Sequence, residues 1–204
     1  VILATGAAHR SLGLAAEDAL TGCGVSYCAV CDGAFYEGLD VAVVGGGDTA
    51  LQDALFLANI CRSVTLIHRR EAFRASAMLV SRAERQENIR ILRNYTVQKL
   101  LRFGDVLNGV EILHTETGNV EQLAVDGLFI AVGQVPQSTP FQEAVAVENG
   151  YYLAGEDTKT SLPGVFAAGD GRKKQVRQLT TAVSDGAAAA LAACRYLEEQ
   201  GQSE

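Results

Sequence analysis

Val41-Ala42-Val43-Val44-Gly45-Gly46-Gly47-Asp48-Thr49-Ala50 constrains the fold more than any other stretch of this chain. Its apolar residues run without polar alternation, which reads as a strand over 39–44 buried on both faces, the mark of a parallel sheet. Three glycines break the strand. Leu51, Leu55 and Ala58 then recur at helical spacing, so a helix is expected over 48–60. Val64-Thr65-Leu66-Ile67 supplies a second buried strand. Strand, helix and strand within about 30 residues make a βαβ unit, which closes a parallel pair by a right-handed crossover.

Beyond this unit, residues 76–86 read as a polar helix and 89–92 as a further strand. From 96 to 130 the pattern shortens and alternates, with Gly104, Asp105, Asn108, Gly109, Gly118 and Asn119 as turn residues, which predicts an antiparallel meander. Residues 128–131 return to a continuous apolar strand. Gly133-Gln134-Val135-Pro136, reinforced by Pro140, is a break and marks a domain boundary. Val165-Phe166-Ala167-Ala168-Gly169-Asp170 is a buried strand running into a glycine turn, and an Ala-rich helix is expected over 179–199. Residues 200–204 read as a frayed end. At the other end Val1-Ile2-Leu3-Ala4-Thr5-Gly6 already reads as a core strand entering a turn, so an upstream part is expected to be missing.

The 204 residues suffice for one large or two small domains, and 48% hydrophobic residues allow a real core. The net charge of -7 argues against a nucleic-acid partner, which needs a basic face. No apolar run approaches the roughly 20 residues that span a bilayer, and no signal peptide is evident. Five cysteines in a chain this long do not make a secreted disulfide scaffold. Cys23, Cys61 and Cys194 read as small buried hydrophobes, and a reducing cytoplasm fits best.

Two motifs carry chemistry. Gly45-x-Gly47-x-x-Ala50 matches the dinucleotide fingerprint: the first glycine permits the tight turn, the second lets backbone approach a pyrophosphate, and the small third residue lets helix and strand pack closely. The helix start, with Asp48 and Thr49, offers unpaired N–H groups and partial positive charge. An NAD site would place Asp or Glu at the end of the next strand. Here stand His68, Arg69 and Arg70, with Arg74 a turn later, a set suited to a 2′-phosphate, so NADPH is expected over NADH. The second motif is Cys28-Ala29-Val30-Cys31-Asp32. A zinc half-site would need a second pair at metal spacing, which is lacking, so no metal site is expected. Two buried structural thiols are another reading. A redox pair beside a βαβ unit is favoured, with Asp32 as proton donor and acceptor or as a simple turn carboxylate.

A nicotinamide gives a hydride and a disulfide takes electrons and protons, so a flavin mediator is expected. Gly169-Asp170 and Arg177-Gln178 are its candidate ligands.

With these motifs quoted, the chain resembles thioredoxin reductases of the low-molecular-weight bacterial type. The resemblance runs through Ala4-Thr5-Gly6, Cys28 to Gly33, Gly45 to Ala50, His68 to Arg74, Gly133 to Pro136, Phe166 to Asp170 and Arg177 to Ala182, over nearly the whole chain. It implies an α/β fold: a Rossmann-like three-layer nucleotide-binding domain with an antiparallel meander, plus the carboxy-terminal half of a second, FAD-binding domain of the same type. Residues 1–10 would end the first half of the FAD-binding domain, 11–134 would form the NADPH-binding domain with the CxxC, and 135–204 would return to the FAD-binding domain. The resemblance implies NADPH-dependent reduction of thioredoxin through FAD, in a homodimer. Cys31 would be the flavin-proximal sulfur, Cys28 the interchange thiol and Asp32 the acid and base. Gly45, Gly47, Asp48, Thr49 and Ala50 would form the pyrophosphate turn, and His68, Arg69, Arg70 and Arg74 would surround the 2′-phosphate. Gly133, Gly169, Asp170, Arg177, Gln178, Thr181 and Ala182 would complete the cofactor sites. The family's domain rotation would hinge near residues 6–13 and 133–136.

One departure stands out. The family's flavin domain opens on its own GxGxxG turn, and none precedes Ala4-Thr5-Gly6, so weak or absent FAD binding and a colourless preparation are expected of the chain as it stands. Related functions are the flavoprotein component of alkyl hydroperoxide reductase, and an NADPH-sensing module with structural cysteines. A relative fed by ferredoxin is disfavoured, since it has no need of the glycine turn with Arg69 and Arg70.

Overall fold

The computed structural model describes residues 1–201. In chain order the elements are β1 (Ile2–Leu3), β2 (Ala7–His9), α1 (Glu17–Leu20), β3 (Val25–Ser26), α2 (Ala29–Asp32), β4 (Asp40–Gly45), α3 (Asp48–Leu57), β5 (Ser63–His68), α4 (Ala77–Arg85), β6 (Ile89–Arg93), β7 (Tyr95–Phe103), β8 (Val106–His114), β9 (Val120–Leu123), β10 (Gly127–Ala131), β11 (Gln134–Pro136), β12 (Val147–Glu148), β13 (Tyr151–Tyr152), β14 (Phe166–Ala167) and α5 (Leu179–Gly201). They form two compact units, Arg10–Gly133 and the combination of Val1–His9 with Gln134–Glu204. Both limits stand one residue earlier than those drawn from sequence.

In the Arg10–Gly133 unit a five-stranded sheet runs β3-β10-β4-β5-β6, every pair parallel. Period-two geometry sends alternate side chains of one strand to opposite faces. Val41, Val43, Leu66 and Phe129 join Ala50, Leu51, Ala54 and Leu57 of α3 and Leu79 of α4. Ala42, Val44, Ile67, Leu128 and Ile130 join Val97, Leu100, Val110 and Ile112 of the antiparallel sheet β7-β8-β9. The continuous apolar strands are thus explained: helices cover one face and the meander the other. Truncating a fully buried leucine such as Leu57 costs about 2–5 kcal/mol.

The crossover strand β10 pairs with β4 on the side away from β5, so the sheet order reverses beside the glycine turn. Such a reversal opens a crevice at the carboxyl ends of the strands. Helix α3 ends three residues before the expected limit. Ala58 is its C-cap. Asn59 donates its side-chain amide to the Leu55 carbonyl at 2.8 Å, and the Ile60 and Cys61 N–H groups both fold back onto the Leu57 carbonyl.

In the other unit β1 pairs in parallel with β14, and β2 pairs antiparallel with β11. The expected break at Gly133–Pro136 is therefore partly strand. A two-stranded ribbon has edges on both sides, where a proline such as Pro136 is tolerated. The opening strand is less buried than its composition suggests: Leu3 is buried, while Val1 and Ile2 are exposed. Leu3, Val145, Tyr152 and Ala167 form one small core, and Phe166, Ala168 and Ala189 another. Helix α5 leaves Leu179, Val183, Leu191 and Leu197 exposed. It runs through Gln200 and Gly201, the first residues of the end read as frayed, and residues 202–204 lie outside the described residues.

Candidate functional site

Cys28 and Cys31 form a disulfide, with their Cα atoms 5.3 Å apart. They follow directly on β3, a two-residue strand that sequence patterning missed because it is too short to show a period. Cys28 caps α2, and the Cys31 N–H donates to its sulfur at 3.2 Å. Buried Ser26 braces the loop twice: its hydroxyl donates to Asp32 Oδ2 at 2.6 Å and accepts the Cys28 N–H at 3.0 Å. The Ser26 bond fixes the Asp32 carboxylate within the cysteine loop, an arrangement that suits either a proton carrier or a turn carboxylate. The phenol of Tyr36 is pushed up by burial and by the nearby Asp32 charge.

Ahead of the pair, Tyr27 donates to Glu17 Oε1 at 2.7 Å, while the Leu12 and Leu14 N–H groups donate to the same carboxylate at 2.9 and 3.1 Å. Burial alone would raise the Glu17 carboxyl, but these bonds outweigh it and hold it below the usual range. Burial and Glu17 together push the Tyr27 phenol up to about 12. The clamp ties the cysteine-bearing strand to Arg10–Leu14. No single sequence motif announces it.

The glycine turn stands at the carboxyl end of β4. A side chain on Gly45 would lie 2.4 Å from the Ala131 carbonyl and 2.6 Å from Ala50 Cβ, so Gly45 as well as the small third residue lets helix and strands pack closely. Ala50 is fully buried and acts through its size. Gly47 is different: nothing lies within 4 Å of where its side chain would be. Gly47 is also the N-cap of α3, whose first-turn N–H groups have no partner within the helix. The open backbone at Gly47 and the start of α3 leave an uncovered concavity at the end of β4. Thr49 is exposed on that first turn, while Asp48 accepts the Ser76 N–H at 2.7 Å and thereby joins α3 to the start of α4.

The turn opens into a cleft of about 380 Å³ whose wall includes Gly46, His68, Arg69, Arg70, Arg74 and Arg10. Arg69, Arg70 and Arg74 are exposed, and their guanidinium groups have no partner among the described residues. His68 is set apart from them. Its ring is buried, its Nε2 lies 3.0 Å from the Ala72 carbonyl, and it stacks on Phe73 at 4.7 Å. It also fills the space over Gly46, where a Cβ would meet the ring at 2.0 Å. His68 therefore shapes the floor, and the arginines supply the charge. Gly133 follows β10, and its carbonyl accepts the Arg10 N–H at 3.0 Å.

In the second unit Gly169–Gly171 form a short 3-10 turn after β14. Asp170 Oδ1 is buried without a hydrogen-bond partner among the described residues, and the Lys174 ammonium lies 3.7 Å away. Arg177 stacks over Tyr151 at 4.1 Å, with its Nε 3.4 Å from the Asp170 carbonyl. The Thr181 hydroxyl accepts the Gln178 N–H at 3.1 Å and donates to the Gln178 carbonyl at 2.8 Å, and the Ala182 N–H bonds that same carbonyl. A buried oxygen lacking a donor fits a ligand hydroxyl, so the residues present suit a flavin. No group of residues suited to a metal ion occurs among the described residues.

The profile of the pyridine nucleotide-disulphide oxidoreductases matches residues 1–186. A thioredoxin reductase of Listeria innocua is 44% identical over 200 residues, covering 98% of this chain and 63% of its own length. One from Mycolicibacterium smegmatis is 47% identical, covering 98% of this chain and 65% of its own. The crystal structure of thioredoxin reductase from Streptococcus pyogenes superposes with a TM-score of 0.92 at 40% identity, covering 98% of this chain and 65% of that one. The chain spans just under two thirds of the length of these relatives.

Proposed function

The chain belongs to the pyridine nucleotide-disulphide oxidoreductase family, and from that premise we propose that it carries the NADPH-binding and dithiol-bearing unit of a thioredoxin reductase, with part of the FAD-binding unit. The observation that supports this most is a shared edge. The Cys28–Cys31 disulfide follows β3 and the open glycine turn follows β4, at the carboxyl ends of one parallel sheet. The relatives named above are thioredoxin reductases, which favours this reading over a peroxide-reducing flavoprotein.

When bound, NADPH supplies a hydride, and FAD turns that two-electron gift into electrons a disulfide can take. Gly45 and Gly47, with the α3 start at Asp48, Thr49 and Ala50, hold the pyrophosphate. Arg69, Arg70 and Arg74 hold the 2′-phosphate over the His68 floor. Asp170, Arg177, Gln178, Thr181 and Ala182 orient the flavin, with Gly133 and Gly169 shaping the backbone beside the cofactors. The Cys28–Cys31 bond breaks as it gains two electrons and two protons, and Asp32, steadied by Ser26, gives and takes the proton at sulfur. Cys28 then attacks a sulfur of the thioredoxin disulfide, and the Cys31 N–H at 3.2 Å steadies its thiolate. Cys31 next attacks Cys28 in the mixed disulfide. The partner leaves as a dithiol and the Cys28–Cys31 bond re-forms.

The proposal extends to a homodimer in a reducing cytoplasm, in keeping with the unpaired Cys23, Cys61 and Cys194; of these only Cys61 is buried as expected, while Cys23 and Cys194 are exposed. No helix among the described residues is long and apolar enough to cross a membrane. The test is NADPH-dependent reduction of thioredoxin and of an aromatic disulfide dye by the full gene product that carries this chain. Cys28→Ser and Cys31→Ser should each abolish thioredoxin turnover while leaving NADPH binding intact. Full turnover in either variant would overturn the proposal.

A further inference from the structure

We propose that Lys174, held in place by Asp185, is a positioning residue for the flavin: its ammonium fixes the Asp170 carboxylate as an anionic acceptor for a ligand hydroxyl. This rests on the reading of Asp170 as an FAD ligand.

Asp185, on α5, gathers three partners. Arg172 Nε and Nη2 donate to its two oxygens at 3.1 and 2.8 Å, Lys174 Nζ donates at 3.0 Å, and the Gly169 N–H donates at 3.0 Å. All three side chains are almost wholly buried. A bidentate Arg172–Asp185 pair already satisfies the charge of Arg172, which is further served by the Ala154 and Gly155 carbonyls and Glu156. A second buried cation still adds a desolvation penalty, and it has to share Asp185 with Arg172. The next anion in reach is Asp170, whose buried Oδ1 lies 3.7 Å from Lys174 Nζ and accepts no hydrogen bond. Lys174 thus has one close anionic anchor in Asp185, a long bond to the Thr181 hydroxyl at 3.4 Å, and one purely electrostatic neighbour in Asp170. Asp185 fixes the geometry from both ends, since it holds Lys174 and the Gly169 N–H that begins the Asp170 turn. An acceptor oxygen that is buried and undonated suits a hydroxyl supplied from outside.

The test uses the full gene product stripped of flavin. FAD is titrated back and followed by quenching of flavin fluorescence, alongside thermal unfolding of the flavin-free protein. Lys174→Met should weaken FAD binding about tenfold or more with little change in the unfolding temperature, and Lys174→Arg should recover most of the affinity. Because Lys174 acts through Asp170, the double variant Lys174→Met/Asp170→Asn should bind no more weakly than Asp170→Asn alone. Affinity within twofold of the parent in Lys174→Met, or additive losses in the double variant, would overturn the inference. If Asp170→Asn itself binds FAD as the parent does, the underlying assignment of Asp170 fails and the inference with it.

Discussion

The two units use cations in opposite ways. In the cleft beside the glycine turn Arg69, Arg70 and Arg74 stand exposed with no internal anion. In the second unit Arg172 and Lys174 are buried, and Asp185 answers them both. A guanidinium in water can wait for an external phosphate at almost no cost to folding. A buried cation must have its anion supplied by the fold, because removing the charge from water costs several kcal/mol. The exposed set is thus free for a ligand, and the buried set belongs first to the structure.

This contrast can be broken at either end. The largest effect is expected at Asp185. Asp185→Ala leaves buried Lys174 without its close anion and Arg172 with only the exposed Glu156, and should destabilise the protein by about 3–5 kcal/mol in denaturant unfolding. A loss below about 1 kcal/mol would show that water already serves these groups. Next, the double variant Arg69→Ala/Arg70→Ala should weaken NADPH binding by about 1.5–4 kcal/mol by titration and leave NADH binding unchanged. Unfolding should move by no more than about 0.5 kcal/mol. Equal losses for both cofactors would separate these arginines from the 2′-phosphate.

A buried anion without a cation sharpens the same comparison. Burial pushes the carboxyl of Asp53 up to about 6, and no partner for it is found among the described residues. The folded state therefore holds its proton more tightly than the unfolded chain. Stability is greatest while the group is protonated, and it falls as pH rises from about 4 through 6. Asp53→Asn should remove that slope and raise stability at pH 7 by on the order of 2 kcal/mol, read from unfolding midpoints across pH. The smallest effect is expected at the clamp ahead of the cysteines. Tyr27→Phe deletes one hydrogen bond to Glu17 and should cost about 1 kcal/mol near neutrality. The parent's advantage should then be lost as pH rises from about 10 through about 12, where the phenol ionises.

The βαβ unit was legible because strand and helix each spanned enough residues to show a period, and because Gly45 to Ala50 punctuated them. The face each strand residue covers followed from the same alternation. Short elements were not legible. β3 is two residues long, yet it delivers the cysteine pair to the sheet edge. β11 hides within what reads as a break, and its partner β2 follows the Gly6 turn without a strand signal of its own. His68 shows the limit at the site. Beside Arg69, Arg70 and Arg74 it reads as part of a phosphate-binding set, and only the fold shows that its ring also packs under Gly46 and against Phe73. Asp185 reads as an ordinary polar position on an Ala-rich helix, and only the fold brings Gly169, Arg172 and Lys174 to it.

Local order was written in the residues themselves: which segments are strands or helices, where the glycines let backbone come close, and which side chains can exchange electrons or hold phosphate. These depend on neighbours within a turn or two, where steric and hydrophobic periodicity act. Which charges stay open to a ligand and which are spent inside was decided by tertiary structure alone. A charge's fate depends on whether an opposite charge and water lie within a few ångströms, and folding sets those distances among residues that are not adjacent along the chain.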